Sequence, residues 1–476
     1  MESPPTARWF WPAAATLVLL HGAAAWLLRT PQVSPASNDE ALYLLLARSL
    51  HSFRYLDSHV VGGSVHAFYP PGFPAILSLA TAIFGNSLDV ALAANVLLSM
   101  LGLFLVFDLL RRITGPEVGL LALAALILNT KLVDFASRLY SEPAYMGLSL
   151  AAIWTLSCVK SQERRLAVAA ALTILAALTR GIGLSLIAAL ILVWVVERRY
   201  RALGWYLLSV ALTVGAWLTW TAMAPDKITE RSYVAVATTV GKVPSGLVGV
   251  AIHRFLAFFK QYLGRSFSSA LDVPTVQGVI LDNLVWILLI GGLALAGVYA
   301  LWRRPRARIL GVYAMAYCGI LMVYPYKLTR FTVPLIPVLL LLMLAGLAFL
   351  LQRWGRGAVI AAAAVITLPI AARTTWLTAQ HVQAYRACDR SRAMSSPACF
   401  PPHQLAFFAA ARWGTDHLPP DARVVTIKEA TFNYLTGRKV IHPDLVTKRA
   451  HGDVPGYLDR TNIRYILLNE FVGGAE

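Results

Sequence analysis

The chain has 476 residues, of which 58% are hydrophobic and only 14% charged, whereas soluble domains are nearer half apolar and a quarter charged. That balance excludes an ordinary soluble protein, and the long unbroken runs of Leu, Ala, Val and Ile exclude the weak alternation of a membrane β-barrel. The net charge of +18 does not point to nucleic acid, because the basic residues cluster at the ends of apolar runs, a pattern set by membrane topology and partly suited to anionic lipids.

Residues 1–9 carry little charge, and the apolar run Phe10 to Leu28 lacks a small-residue cleavage site. It reads as a retained first span rather than a signal peptide. Spans need roughly 20 apolar residues. Eleven candidates follow, near 10–28, 87–110, 117–130, 142–159, 165–179, 182–197, 203–223, 279–302, 307–325, 331–351 and 357–376. With the N-terminus in the cytoplasm, every short basic cluster falls on the cytoplasmic side. These are Arg111-Arg112, Lys160 with Arg164-Arg165, Arg198 to Arg201, Arg303 to Arg308, and Arg353 with Arg356. Positive-inside bias thus checks both the count and the direction. The exocytoplasmic side receives the connections 29–86 and 131–141, Arg180, the long loop 224–278, Lys327 to Arg330, and the chain beyond about 377.

The 29–86 connection contains "SNDEALYLLLARSL" (37–50). Ser37 and Glu40 have capping-box spacing, in which the serine caps the helix and the glutamate reaches back to it. That accounts for Glu40 and leaves Asp39 over, although a helix dipole tolerates it. The apolar helix that follows belongs in the interface or against the bundle. A carboxylate at its start is partly desolvated, which raises its pKa and suits it to act as a base near neutral pH. From the pair alone, the capping role comes first. Next, "HAFYPPGFPAIL" (66–77) holds three prolines and a glycine, which exclude a regular helix through 69–74. Such backbone beside a bilayer needs protein or a water-filled cavity around it. Its Tyr69 and His66 are candidates for touching substrate.

In "KLVDFASRLYSEPAYMG" (131–147), Glu142 stands at the outer start of a span, before Pro143. A helix-start anion, or a local pair with Arg138 four residues earlier, explains it without any chemistry. The outer-face cations Lys131, Arg138, Arg180, Lys327 and Arg330 run against the local positive-inside trend. Snorkelling explains any one of them. As a set, they suit a buried anion such as a lipid phosphate. Asp108 pairs locally with Arg111 and Arg112, and Asp89 is a helix-start acid. No ligand cluster surrounds His59 or His66, so a divalent metal is not indicated. Cys158 and Cys318 are apolar fillers within spans. Cys388 and Cys399 both fall in the outer tail and are expected to form a disulfide on that oxidising side.

The tail, 385–476, is polar enough to be soluble. Strands are expected at "ARVVTI" (422–427) and "RYILLN" (464–469), and helices at 403–418 and 429–437, the second stopped by Gly437. This gives two units: a membrane domain over 1–376, and a small exocytoplasmic α/β domain over 385–476.

An outer-face Asp-Glu pair after the first span, then "YPPGFP", then "SRLYSEP" before the fourth span, then "RFTVPLIP" late in the bundle, resembles the GT-C membrane glycosyltransferases. The resemblance is nearest to the group of protein O-mannosyltransferases, lipid A aminoarabinose transferases and rhizobial galacturonosyltransferases. It is best over 35–200, weaker at 320–340 and generic in the tail. It implies a GT-C-like helical fold in a bacterial-type plasma membrane. It also implies a sugar donor on a polyprenyl phosphate and a glycolipid, polysaccharide or protein acceptor. By the same resemblance, Asp39 is the base that activates the acceptor hydroxyl, with Glu40 of the same acidic pair as a further catalytic candidate, and Glu142 supports it or orients the acceptor. Arg138, Lys327 and Arg330, with Arg180, are candidates for holding the phosphate. A transporter or flippase of lipid-linked sugars is the alternative. It predicts charge near mid-membrane and repeated halves, whereas the charges here gather at span ends and no internal repeat is visible.

Overall fold

The computed structural model describes residues 9–224, 287–324 and 328–468, with short stretches between 255 and 285. Most of the 224–278 loop, the start of the 279–302 segment, and Lys327 lie outside the described residues. Capping chemistry sets several helix starts. α1 (Phe10–Leu27) leads to α2 (Asp39–His51) and α3 (Gly72–Phe84). α4 (Leu88–Thr114) begins at Ser87, whose hydroxyl accepts the Val90 N–H. α5 (Pro116–Ile127) carries proline in its first turn, where no N–H is needed. α6 (Thr130–Ala136) begins at Asn129, which accepts the Leu132 N–H. α7 (Ser141–Cys158), α8 (Gln162–Thr179), α9 (Leu184–Val196) and α10 (Tyr200–Met223) follow. After the undescribed stretch come α11 (Ile287–Trp302), α12 (Arg308–Val323), α13 (Ile336–Leu351) and α14 (Gly355–Tyr385).

A helix falls in each of the eleven expected segments, but their lengths differ. Among the described residues, four helical segments are long and apolar enough to cross a membrane: Phe10–Leu27, Leu88–Thr114, Tyr200–Met223 and Thr329–Tyr385. The pair α5 and α6, bent by 63°, makes a fifth if it is one span. The 57-residue segment Thr329–Tyr385 is divided near Gln352–Trp354, before Gly355 at φ +83°. α13 is the central helix, with Ile336 to Gly346 buried on every face, as expected for a helix apolar all round. α11 lies against it with backbones touching: a Cβ on Gly297 would run into the Leu342 carbonyl, and one on Gly346 into that of Leu293. Small residues permit such close crossings in a bundle.

The YPPGFP segment corrects one expectation. α3 already starts at Gly72, with Pro71 as its cap and Pro74 in its first turn. Proline costs nothing there because the first-turn N–H groups have no partner in the helix. Gly72 also presses on the end of α8, where a Cβ would lie 2.6 Å from the Leu178 carbonyl.

The tail contains α15 (Pro402–His417), α16 (Glu429–Thr436), α17 (Pro443–Ala450) and α18 (Val454–Arg460). Its three-stranded parallel sheet has the order β2-β1-β3, with β1 at Arg423–Val425, β2 at Lys439–Ile441 and β3 at Tyr465–Ile466. α16 ends at Gly437, which is left-handed at φ +70°. The 29–86 connection is knitted to this tail. The Val61 N–H bonds to the Val440 carbonyl at 2.8 Å, and the Val440 N–H bonds to the His59 carbonyl at 3.0 Å. The Lys428 ammonium reaches the Ala36 carbonyl at 2.7 Å, and the Thr431 N–H reaches the Asn38 side chain at 3.1 Å. Cys388 and Cys399 are joined as a disulfide just before α15.

Candidate active site

The Asp39 carboxylate, on the first residue of α2, is held at both oxygens. The Tyr69 hydroxyl donates to Oδ1 at 2.6 Å, and the Arg330 guanidinium donates to Oδ2 at 3.1 Å. Arg330 sits in the 3₁₀ turn Thr329–Leu335 that leads into α13. Its Nε–H also donates to Glu142 Oε1 at 3.0 Å, so one guanidinium bridges two carboxylates. Arg180, in the bend between α8 and α9, lies 2.9 Å from Glu142 Oε2 and also donates to the Ser141 hydroxyl at 2.9 Å. Ser141 in turn accepts from the Tyr43 hydroxyl at 3.2 Å. Arg330 lies over the Tyr140 ring, 5.1 Å from its centre. Glu142 is fully buried, while Asp39 and Arg330 keep 18% and 21% of their side-chain exposure. Asp39 is therefore the carboxylate that an incoming group can reach, and Glu142 is the anchor behind it.

One pairing expectation is corrected here. Arg138 does not pair with Glu142; it bonds to Asp134, one turn earlier, at 3.0 Å. In addition, Arg180, Arg330 and Arg138 are already balanced by protein carboxylates. Among the described residues, the group Asp39, Glu142, Arg180 and Arg330 carries two formal negative and two formal positive charges. These four side chains form one ion-paired network.

Glu40 is separated from this group. It does not close a capping box with Ser37; its Oε2 accepts the Ser34 N–H at 3.1 Å instead, and the Ser37 hydroxyl accepts the Asp39 N–H. Its carboxyl is fully buried and Oε1 has no hydrogen-bond partner. Burial pushes its pKa up to about 7, and the charge of Arg138 only partly offsets that. A carboxyl raised in this way favours folding at acid pH, and that stability is lost as pH rises through about 7. The thermal midpoint of the wild-type chain in lipid nanodiscs is therefore expected to fall between about pH 5 and about pH 8. Glu40→Gln should flatten that fall. Scanning fluorimetry giving parallel curves for the two proteins would rule the assignment out.

His66 and Tyr69 are both close to the site. His66 is buried and does not touch Asp39; it bonds to Asp57 at 2.8 Å. Asp57 was not apparent from the sequence, where the only sign was an acid nine residues before a histidine. Burial acts to raise its pKa, but the neighbouring His66 outweighs this and holds the carboxyl below its usual range. Burial pushes His59 down to about 4. Among the described residues, no group of three His, Cys, Asp or Glu side chains could hold a metal ion. A separate outer cavity of about 320 Å³ lies between α6, α14 and the start of α15, lined by Ser34, Asp134, Arg138, His381, Tyr385 and Gln404 among others.

This arrangement has counterparts among known proteins in sequence and in fold. A family model described as dolichyl-phosphate-mannose-protein mannosyltransferase matches residues 69–222, which include Tyr69, Glu142 and Arg180. No curated protein matches the sequence. Among solved structures, ArnT from Cupriavidus metallidurans, bound to undecaprenyl phosphate, aligns over 96% of this chain and 89% of its own, at 15% identity and TM-score 0.54. The oligosaccharyltransferase AglB from Archaeoglobus fulgidus, in complex with an inhibitory peptide and a dolichol-phosphate, aligns over 96% of this chain and 69% of its own, at 14% identity and TM-score 0.51. The fold is that of the GT-C membrane glycosyltransferases.

Proposed function

We propose that this protein is a multi-pass membrane glycosyltransferase that moves a sugar from a polyprenyl-phosphate donor to an acceptor hydroxyl. The observation that carries this reading is the Arg330 bridge between Asp39 and Glu142, which draws together three separate outer-face connections. In the reaction, the acceptor hydroxyl gives its proton to Asp39, and its oxygen bonds to the anomeric carbon. The bond from that carbon to the phosphate oxygen breaks, and the lipid phosphate leaves with the electron pair. Glu142 keeps Arg330 in place from behind. Arg330 and Arg180 are the described cations near enough to stabilise the leaving phosphate, with Lys327 as a further candidate. Because the network is neutral, the phosphate gains from these cations only as the proton reaches Asp39 and frees part of Arg330.

The family match and the lipid phosphates bound by the structural neighbours support the donor class. An eleven-span path with a cytoplasmic N-terminus supports a site facing outward, with the 385–476 segment capping it. That orientation rests on the sidedness of the basic clusters. A bacterial-type plasma membrane is the proposed location, and an envelope glycolipid, polysaccharide or protein is the proposed acceptor.

Deleting the gene in its native host should remove one hexose or pentose from an envelope glycolipid, polysaccharide or glycoprotein. Mass spectrometry of envelope fractions would name donor and acceptor together. Unchanged profiles in all three fractions would refute the assignment.

A further inference from the structure

The contacts of Tyr69 go beyond what a cavity wall needs. Its backbone is pinned at both polar atoms. The Tyr69 N–H donates to His66 Nε2 at 2.8 Å, and its carbonyl accepts from the Tyr55 hydroxyl at 2.8 Å. Its ring packs against Tyr43 with centroids 4.8 Å apart and stacks on His66 at 5.8 Å. The His66 contacts also fix a tautomer. A backbone N–H can only donate, so Nε2 must be the bare nitrogen and the ring proton sits on Nδ1. Nδ1–H then donates to Asp57 Oδ1 at 2.8 Å. The His66 carbonyl is held as well, accepting the Trp220 indole N–H at 3.1 Å. A short segment rich in proline is thus fastened from three sides, and at its end the Tyr69 hydroxyl meets Asp39 at 2.6 Å.

We propose that Asp57, His66 and Tyr69 form a rigid hydrogen-bonded support that positions the Asp39 carboxylate, with Tyr69 as the positioning residue. This rests on the reading of Asp39 as the acceptor's base. Arg330 alone leaves the carboxylate free to rotate about its own bond axis; a second donor, at the other oxygen, fixes its plane. Fixing the plane aims the remaining lone pairs of Oδ1, which is where an acceptor proton would be taken. A base held within small angular error is worth large factors in rate. The hydroxyl itself stays protonated, because burial and the Asp39 charge both push the phenol well above its ordinary range. It therefore acts as a donor to the base and does not compete with it for the acceptor's proton.

The groups facing Asp39 are Tyr69 from the loop, Arg330 from the turn before α13, Glu142 from α7, and Tyr43 and Glu40 from its own helix. Of these, only Tyr69 and Arg330 bond to it among the described residues. Removing the Tyr69 donor should make Asp39 more basic.

The test is an infrared titration of the full chain in lipid nanodiscs, with Asp39→Asn as the reference that identifies the Asp39 carboxyl band. Tyr69→Phe is expected to move the Asp39 midpoint up by about one pH unit, a tenfold change in proton affinity, the usual scale for a hydrogen bond to a charged group. His66→Gln should move it the same way by less, because it loosens Tyr69 without deleting the hydroxyl. An Asp39 midpoint in Tyr69→Phe equal to that of the wild type would overturn the proposal. The titration uses neither donor nor acceptor. A flat result therefore speaks against the positioning role alone, whereas unchanged envelope glycans in the gene deletion would speak against sugar transfer itself.

Discussion

Asp39→Asn is expected to reduce sugar transfer by about 10²–10⁴-fold, the usual contribution of a positioned general base. The substitution keeps the shape of the side chain and removes its capacity to take a proton. It also removes one of two good acceptors, because the asparagine can present its single carbonyl oxygen to Tyr69 or to Arg330 but not to both. Arg330 remains anchored by Glu142 at 3.0 Å, so the bundle should stay folded and the thermal midpoint should move by only a few degrees. Transfer is measured with membranes of the native host as the source of donor and acceptor. A folded variant that transfers at the wild-type rate would show that Asp39 is not the base.

Arg330→Met should have the second large effect, and it should fall on stability as well as rate. The methionine fills most of the space but, among the described residues, leaves Asp39 and the fully buried Glu142 with one paired cation, Arg180 on Glu142. Breaking one side of a buried ion group costs about 3–5 kcal/mol. Arg330 keeps 21% of its side-chain exposure, so solvent screening places the cost at the lower end, about 3 kcal/mol. Transfer should fall by about 10²–10³-fold, as for loss of one preorganised charge-stabilising donor. Arg330→Lys separates the two contributions. An ammonium keeps the charge but cannot fork to both carboxylates, so it should recover much of the stability and little of the rate. If Arg330→Lys behaves as wild type in both, the bridge is not needed and charge alone suffices.

In the proposed reaction, the pairing of the arginines would affect how a donor phosphate is held. Isolated outer-face cations would attract an anion in any state of the enzyme. A neutral network of two carboxylates and two guanidiniums does so only when a proton arrives. In the proposed reaction, phosphate stabilisation would strengthen as Asp39 takes up the acceptor proton, which would favour the transition state over the bound substrate.

Much of this protein was legible from order and composition. Apolar runs place its helices, because a membrane helix must satisfy its own backbone. Basic clusters give those runs an expected direction, because charge near a span end carries topological information. Asp39, Glu142 and Arg330 stood out because a charge beside a membrane is costly and needs a reason. The short strand Lys439–Ile441 was not legible, since three residues give too little pattern. The partner of Glu40 was misread as well. The capping-box spacing with Ser37 is real, but the side chain turned to the Ser34 N–H once the loop folded over it.

What only the tertiary structure decided is who meets whom. Arg330 lies 291 residues from Asp39 and 188 from Glu142, and no local rule links such positions. Local spacing offered Arg138 to Glu142, yet the helix paired Arg138 with Asp134 and packing brought Arg330 and Arg180 instead. Tyr69 reaches Asp39 because α2 and α3 pack side by side and Gly72 lets the loop settle against α8. The sequence by itself determined a bundle of apolar helices with charges gathered at their ends. Long-range packing joined two of those carboxylates through one guanidinium, leaving Asp39 partly exposed and Glu142 fully buried.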